Sequence, residues 1–380
     1  MDWIKQDDIG WIDVLRIVAI FAVVVSHSSD FYIAAFDNDR VSFYTGVFTE
    51  SFVRPCVVLM VLISGYLLLP IRGQYSVGGY WRKRIGRVAW PLVFWSVVLP
   101  VVFYLYFHYF GQDTRNPGID AATYTLGTLG TRISTFLLNF NYDTTPLWYL
   151  YMLIGLYLAL PIVNGWLTQA SRRDIETVLL CWLGTLFIPY LRILGPMVGA
   201  GGEVGFGPLW GECTWNVFHS LYYMAGFMGY MLLAYYLKQW PPQWSWRKTL
   251  GICIPMYLLG FLGTSLGYIF VDQLAPGEYQ YLEIPWWMCG LNVFLQAMGV
   301  FLIFMRLRIR PRQWLSRAAA MMFGVYLCHF PLVHMAYDWL DTESLPPFVR
   351  LISGAVITFV LSYAIVRAMW RFKFTRRMVK

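Results

Sequence analysis

Apolar runs of about 20 residues recur along the whole chain, and this spacing constrains the fold more than any other feature. A helix needs roughly that length to cross the hydrocarbon core of a bilayer. The runs place membrane helices at roughly 12–34, 47–70, 89–110, 146–167, 175–195, 215–237, 249–271, 286–305, 316–338 and 347–370. Backbone polar groups in lipid must be satisfied within their own segment, so every run is read as helix. Pro100, Pro189, Pro255 and Pro331 fall inside or near these spans and are expected to kink them. The expected fold is all-α: a polytopic membrane bundle of about ten transmembrane helices. It forms a single domain over residues 1–380, with no appended soluble domain and no internal repeat.

Composition excludes the alternative of a soluble globular domain. Charged residues make up 13% of the chain and its mean hydropathy is +0.53, whereas soluble domains carry about 25% charged residues. Too little charge remains to cover a water-facing surface. Aromatic residues reach 19%, and many cluster at the ends of the apolar runs, as belts at the two lipid–water interfaces do. The net charge of +8 would suit nucleic-acid binding if it formed one patch. Its distribution points to the bilayer instead, and no nucleic-acid partner is expected.

Counted by loop, 22 of the 29 basic residues fall on one side, in the segments 71–88, 168–174, 238–248, 306–317 and 367–380 and at Lys5. The opposite loops carry Asp37, Asp39, Asp113, Glu203, Glu212, Asp272, Glu278, Glu283, Asp341 and Glu343. The positive-inside rule makes the basic side cytoplasmic, and an even number of spans then puts both termini there. No cleavable signal peptide is evident, because the first run holds Arg and His and lacks a small-residue cleavage site. The six cysteines show no metal-ligand spacing and mostly lie in apolar runs, as small buried hydrophobes do. Cys213 and Cys289, near expected outer helix ends, are the one candidate disulfide. Two outer loops, about 111–145 and 196–214, are the longest. The second is Gly-rich and is expected to be mobile or re-entrant; without a preceding strand or a following Gly-Lys it reads poorly as a phosphate cradle.

Ionisable groups inside a span are costly and are functional candidates by default. Helix one carries most of them: Asp13, Arg16, His27 and Asp30. At ~100° per residue, Arg16 and His27 lie only ~20° apart around the helix and ~16 Å apart along it. The two carboxylates flank the same stripe, so the helix presents one polar seam. A packing seam would use such residues too, with Arg16 snorkelling to the interface. Histidine is nonetheless the side chain suited to take and return a proton near neutral pH, and a neighbouring carboxylate orients it. Glu50 and Arg54 sit four apart on helix two, as an ion pair or as substrate contacts. His219, His329 and His334 also fall within spans. His329 and His334 are five apart and do not share a face closely, which speaks against a two-His metal site. His108 lies at an interface and reads as structural.

The string Asp13-Val14-Leu15-Arg16, followed after ten intervening residues by His27, resembles the acyltransferase-3 family of membrane O-acyltransferases. Four further blocks agree in order: Ile63-Ser64-Gly65-Tyr66-Leu67-Leu68; Trp81-Arg82-Lys83-Arg84-Ile85-Gly86-Arg87; Pro146-Leu147-Trp148-Tyr149-Leu150 with Gly155-Leu156-Tyr157; and Gly324-Val325-Tyr326-Leu327-Cys328-His329-Phe330-Pro331. The resemblance spans nearly the whole chain. It implies transfer of an acyl group, often acetyl from acetyl-CoA, to a hydroxyl of a carbohydrate or glycolipid, in a bacterial inner membrane. It implies that His27 and Arg16 are the family's essential pair. Arg84 and Arg87 then match its Arg-x-x-Arg element, associated with the acyl-CoA donor. Many members have Glu five residues after the Trp of the fourth block, where this chain has Leu153. In that it looks closer to the branch that includes enterobacterial-common-antigen O-acetyltransferase.

The residues suit that chemistry. Arg82, Lys83, Arg84 and Arg87 offer phosphate-binding charge to polyanionic coenzyme A on the side where it is found, although basic loops also serve topology alone. His27 would act as general base or carry the acyl group briefly, with Asp13 and Asp30 beside it. Glu50, Arg54, Trp148 and His329 are the candidate substrate contacts. No metal is expected. Two other readings stand beside this one: a transporter or flippase using the polar seam as its path, and a structural or sensory membrane protein in which His27 is dispensable.

Overall fold

The computed structural model describes residues 10–135, 141–197, 219–276, 278–341 and 344–380. Its helices are α1 (Gly10–Ile33), α2 (Arg40–Val53), α3 (Cys56–Leu68), α4 (Val77–Tyr109), α5 (Leu126–Ser134), α6 (Trp148–Leu167), α7 (Arg172–Thr185), α8 (Ile188–Met197), α9 (Met228–Gln239), α10 (Trp246–Leu274), α11 (Tyr279–Leu282), α12 (Leu291–Arg306), α13 (Gln313–Leu340), α14 (Pro347–Met369) and α15 (Lys373–Arg376). No strand occurs among the described residues. Nine helical segments there are long and apolar enough to cross a membrane. The fold is a polytopic helical membrane bundle.

The boundaries depart from the expected ones where local chemistry dictates. The second span is two helices, because Pro55 lies two residues past the end of α2: proline has no N–H to donate and disfavours helical backbone in the residue before it, Arg54. The fifth span likewise breaks between Thr185 and Ile188, just before Pro189. The third span begins twelve residues earlier than its apolar run. Ser76 caps it, its hydroxyl accepting the Gly79 N–H at 3.1 Å, so the basic stretch Arg82–Arg87 is helix rather than loop. Of the sixth expected span, residues 215–218 lie outside the described residues. The rest is a 3-10 turn, His219–Met224, followed by the 12-residue α9. The Gly-rich loop and Cys213 are also outside them, apart from its first residues, which end α8; Cys289 is a buried thiol.

The described chain divides into two compact units. Unit one takes residues up to Leu15, Arg54–Gly73 and Ile162–Ile309; unit two takes Arg16–Val53, Gln74–Pro161 and Arg310–Lys380. In unit one α10 pairs with α12, and α3 lies against α9. Gly65 permits the second contact: a Cβ there would fall 2.5 Å from the Met231 Cα. Lys238 of α9 then donates to the carbonyls of Tyr66 (2.6 Å) and Leu69 (3.1 Å) at the C-terminal end of α3, where a cation complements the helix dipole. Gly65→Ala should therefore push two backbones apart. A loss of about 1–3 kcal/mol is expected, readable as a lowered melting temperature in detergent.

In unit two α13 packs along α14 and against α4. The second half of α1 joins them through Val24, Val25, Phe31 and Tyr32, which pack with Val333, Leu351 and Ala355. The last described residues fold back on the same unit, where the Trp95 indole donates to the Met378 carbonyl at 2.9 Å. The described part of the segment 111–145 carries more regular structure than a loop of its length suggests. It holds α5, a short turn at Ala121–Thr123 and a 3-10 turn at Tyr142–Leu147.

Candidate active site

The seam on α1 is carried by one unbroken helix, and its far end gathers the site. His27 Nδ1 lies 3.2 Å from Asp30 Oδ2, one turn on. His27 is mostly covered, its side chain 18% exposed, whereas that of Asp30 is 53% exposed. With Nδ1 held by the carboxylate, Nε2 remains as the working nitrogen of the ring. Directly before His27, the Ser26 hydroxyl donates to Glu50 at 3.0 Å, which brings buried Glu50 of α2 beside the same turn.

Two histidines of α13 complete the cluster. The His329 ring lies 5.2 Å from the His27 ring between centroids, tilted by 34°. Its Nδ1 reaches the Tyr326 carbonyl at 2.6 Å. Tyr326 hydrogen-bonds the Pro146 carbonyl and packs edge-on against Tyr149, so the fourth and fifth blocks of the resemblance meet here. Trp148 opens α6 between those partners and is itself partly exposed. Phe330 stands between the imidazoles, its ring 5.3 Å from His27 and 4.9 Å from His334. His334 is fully buried, and Asn116 Nδ2 lies 2.7 Å from its Nδ1.

Asn116 belongs to the 111–145 segment, which carries a second buried network. Asp143 Oδ1 accepts from Arg132 at 2.8 Å and from the Tyr124 hydroxyl at 2.9 Å, and the guanidinium lies 4.2 Å over the Tyr124 ring. Burial foremost, then the Asp143 carboxylate, holds the Tyr124 phenol well above its usual range. One turn beyond His334, Asp338 accepts from Thr114 (2.6 Å) and Tyr106 (3.1 Å). These groups border a cavity of about 670 Å³ lined also by Phe110, Asp113 and Trp339. Half-exposed Trp339 and exposed Phe110 thus sit among carboxylates at its mouth.

The other candidates are described each in its own surroundings. Arg82, Lys83, Arg84 and Arg87 occupy the first turns of α4. Arg84 lies over the Tyr80 ring, and its Nε is buried with no hydrogen-bond partner among the described residues. Arg16 and Asp13 sit on the lower turns of α1, Asp13 buried and Arg16 partly so. Arg54 belongs to unit one, where it donates to Glu283 (3.2 Å) and the Trp286 carbonyl (2.8 Å). That environment reads as a structural tie. His108 hydrogen-bonds the Tyr124 carbonyl at 3.0 Å and helps to anchor the segment. The side chain of His219 lies outside the described residues. No group of three or more His, Cys, Asp or Glu that could hold a metal occurs among the described residues.

Sequence reasoning did not find Asn116, Arg132, Asp143 or Asp338. Asn116 and His334 are 218 positions apart, and only a segment folding back between helices brings such residues together.

A carboxylate-oriented imidazole backed by an aromatic wall is the equipment of group transfer by a base or nucleophile. Residues 9–367 match the family model described as an acyltransferase domain. The chain therefore belongs to the acyltransferase-3 family, and membership indicates a membrane acyltransferase. Comparison with curated proteins and with solved structures finds no match.

Proposed function

We propose that this protein is an O-acyltransferase that takes an acyl group, acetyl foremost, from cytoplasmic acyl-CoA. It passes the group to a hydroxyl of a cell-surface or lipid-linked carbohydrate. The observation that carries the reading is the His27–Asp30 pair at the top of the α1 seam. The carboxylate holds Nδ1, and Nε2 serves as general base on the acceptor hydroxyl or as transient acyl carrier. Arg16 and Asp13 line the lower seam towards the donor.

Each substrate has a seat on chemical grounds. Coenzyme A is a polyanion, and an Arg84 Nε with no hydrogen-bond partner among the described residues, in a basic turn, suits a phosphate. The cavity by Asp338 offers carboxylates to accept from sugar hydroxyls and the faces of Phe110 and Trp339 to stack on ring C–H groups. The charge bias of the loops supports cytoplasmic termini and a bacterial inner-membrane location. The five sequence blocks and Leu153 support a place nearest the branch of the enterobacterial-common-antigen O-acetyltransferase.

The test is consumption of radiolabelled acetyl-CoA by the purified protein in nanodiscs. Thioester turnover that requires His27 supports the reading. Transport of an unmodified solute without thioester consumption would replace it with the transporter. In the same assay Arg84→Ala/Arg87→Ala should raise KM for acetyl-CoA about 10–100-fold, since charged hydrogen bonds are worth about 1.5–3 kcal/mol. A KM unchanged in that variant would remove these arginines from the donor site.

A further inference from the structure

We infer that His329 is a second base of the same site, taking the proton of the acceptor hydroxyl while the acyl group rides on His27. This rests on the reading that acyl transfer occurs at His27. The tautomers follow from the hydrogen bonds. A carbonyl only accepts, so the 2.6 Å contact with the Tyr326 carbonyl puts the His329 proton on Nδ1. Its Nε2 therefore carries a lone pair. The residue is fully buried, and among the described residues Nε2 has no hydrogen-bond partner. Leaving a buried acceptor unmatched costs about 1–3 kcal/mol, a cost that a hydroxyl donor arriving with the substrate removes.

His27 holds the second lone pair. Its Nδ1–H donates to Asp30, so its Nε2 is also an acceptor, on a ring whose centroid is 5.2 Å from that of His329. Two neighbouring imidazoles thus present basic nitrogens, one more than simple general-base catalysis needs. His334 is not a third. Asn116 Oδ1 is taken by the Gly118 N–H at 3.0 Å, so its amide nitrogen donates to His334 Nδ1 at 2.7 Å. The His334 proton must then sit on Nε2, which has no lone pair to offer.

An acyl-carrying His27 gives each base its task. In the first half, His27 Nε2 attacks the thioester carbonyl. The N–C bond forms, the C–S bond breaks, and the electron pair leaves on sulfur as thiolate. The Nδ1 proton stays shared with Asp30. In the second half, the acceptor oxygen attacks the same carbonyl; the O–C bond forms, the N–C bond breaks, and its pair returns to Nε2. Acylated His27 has no lone pair for the hydroxyl proton, so His329 Nε2 takes it and later returns it to solvent or the thiolate.

Two assays on the nanodisc protein separate the halves. Exchange of label between acetyl-CoA and free coenzyme A reports the first, and hydrolysis of acetyl-CoA, with water as the smallest acceptor, needs both. His27→Ala should lose both activities. His329→Gln, which keeps polarity without basicity, should leave exchange within a few-fold and lower hydrolysis about 10²–10⁴-fold. Added imidazole should restore part of the hydrolysis in His329→Ala. His329→Asn, matched to wild type in melting temperature, guards against a folding defect in the glutamine variant. The inference is overturned if His329→Gln lowers both activities alike or neither. It is also overturned if wild type hydrolyses without exchange, which leaves His27 as a simple general base. No thioester consumption by wild type in either assay would overturn the parent reading and this one together.

Discussion

His27→Ala is expected to lower acyl transfer from labelled acetyl-CoA by at least 10²–10⁴-fold, the usual range for removing a positioned general base. If the imidazole carries the acyl group, the loss is complete, because the nitrogen that forms the N–C bond is gone. The change removes a mostly covered ring from a helix that stays continuous without it, so the melting temperature should move little by comparison. Asp30→Asn acts on the same ring with a much smaller expected effect. Its carboxylate is half-exposed, and exposed charged pairs are worth at most about 1 kcal/mol, or roughly five-fold in rate. A transfer rate that survives His27→Ala undiminished would remove the chemistry from α1.

The second large effect falls on stability. Asp143→Ala should cost about 3–5 kcal/mol, since it strands the Arg132 guanidinium and the buried Tyr124 hydroxyl together. Asp143→Asn keeps an acceptor for both donors and should cost less. The measurements are a melting curve in detergent and limited proteolysis of the 111–145 segment, which should be cut faster in the alanine variant. Proteolysis unchanged from wild type would mean that Asp143 does not hold the segment. Activity should fall with it, because Asn116 and Thr114 on the same segment hold His334 and Asp338.

The apolar runs and the proline positions made nearly every long helix legible. They misjudged where helices extend into water: the basic turns of α4 look like loop to hydropathy, yet a serine cap and good helix formers continue the helix through them. The break before Pro55 was legible only as a proline among apolar residues, since a span that stays apolar on both sides gives hydropathy no signal. Within the site, the His27–Asp30 contact is local and followed from helical spacing. The contacts of His329 and His334 are long-range, and no periodicity encodes which helix faces α1. The Asp143 network was invisible for the same reason, being assembled by a segment whose composition reads as polar connection.

Thirty-three residues make α4 about 50 Å long, well beyond the ~30 Å of hydrocarbon. Its first turns hold Arg84 and Arg87, and its last hold Tyr106 beside the Asp338 cavity. A single rod therefore sets the distance, ~33 Å from Arg84 to Tyr106 at 1.5 Å per residue, between the donor's proposed phosphates and the acceptor's proposed seat. Helix length acts as a ruler, bent only by Pro91 and Pro100. Inserting or deleting one turn of α4 would change the reach demanded of the donor arm without touching a single reacting group.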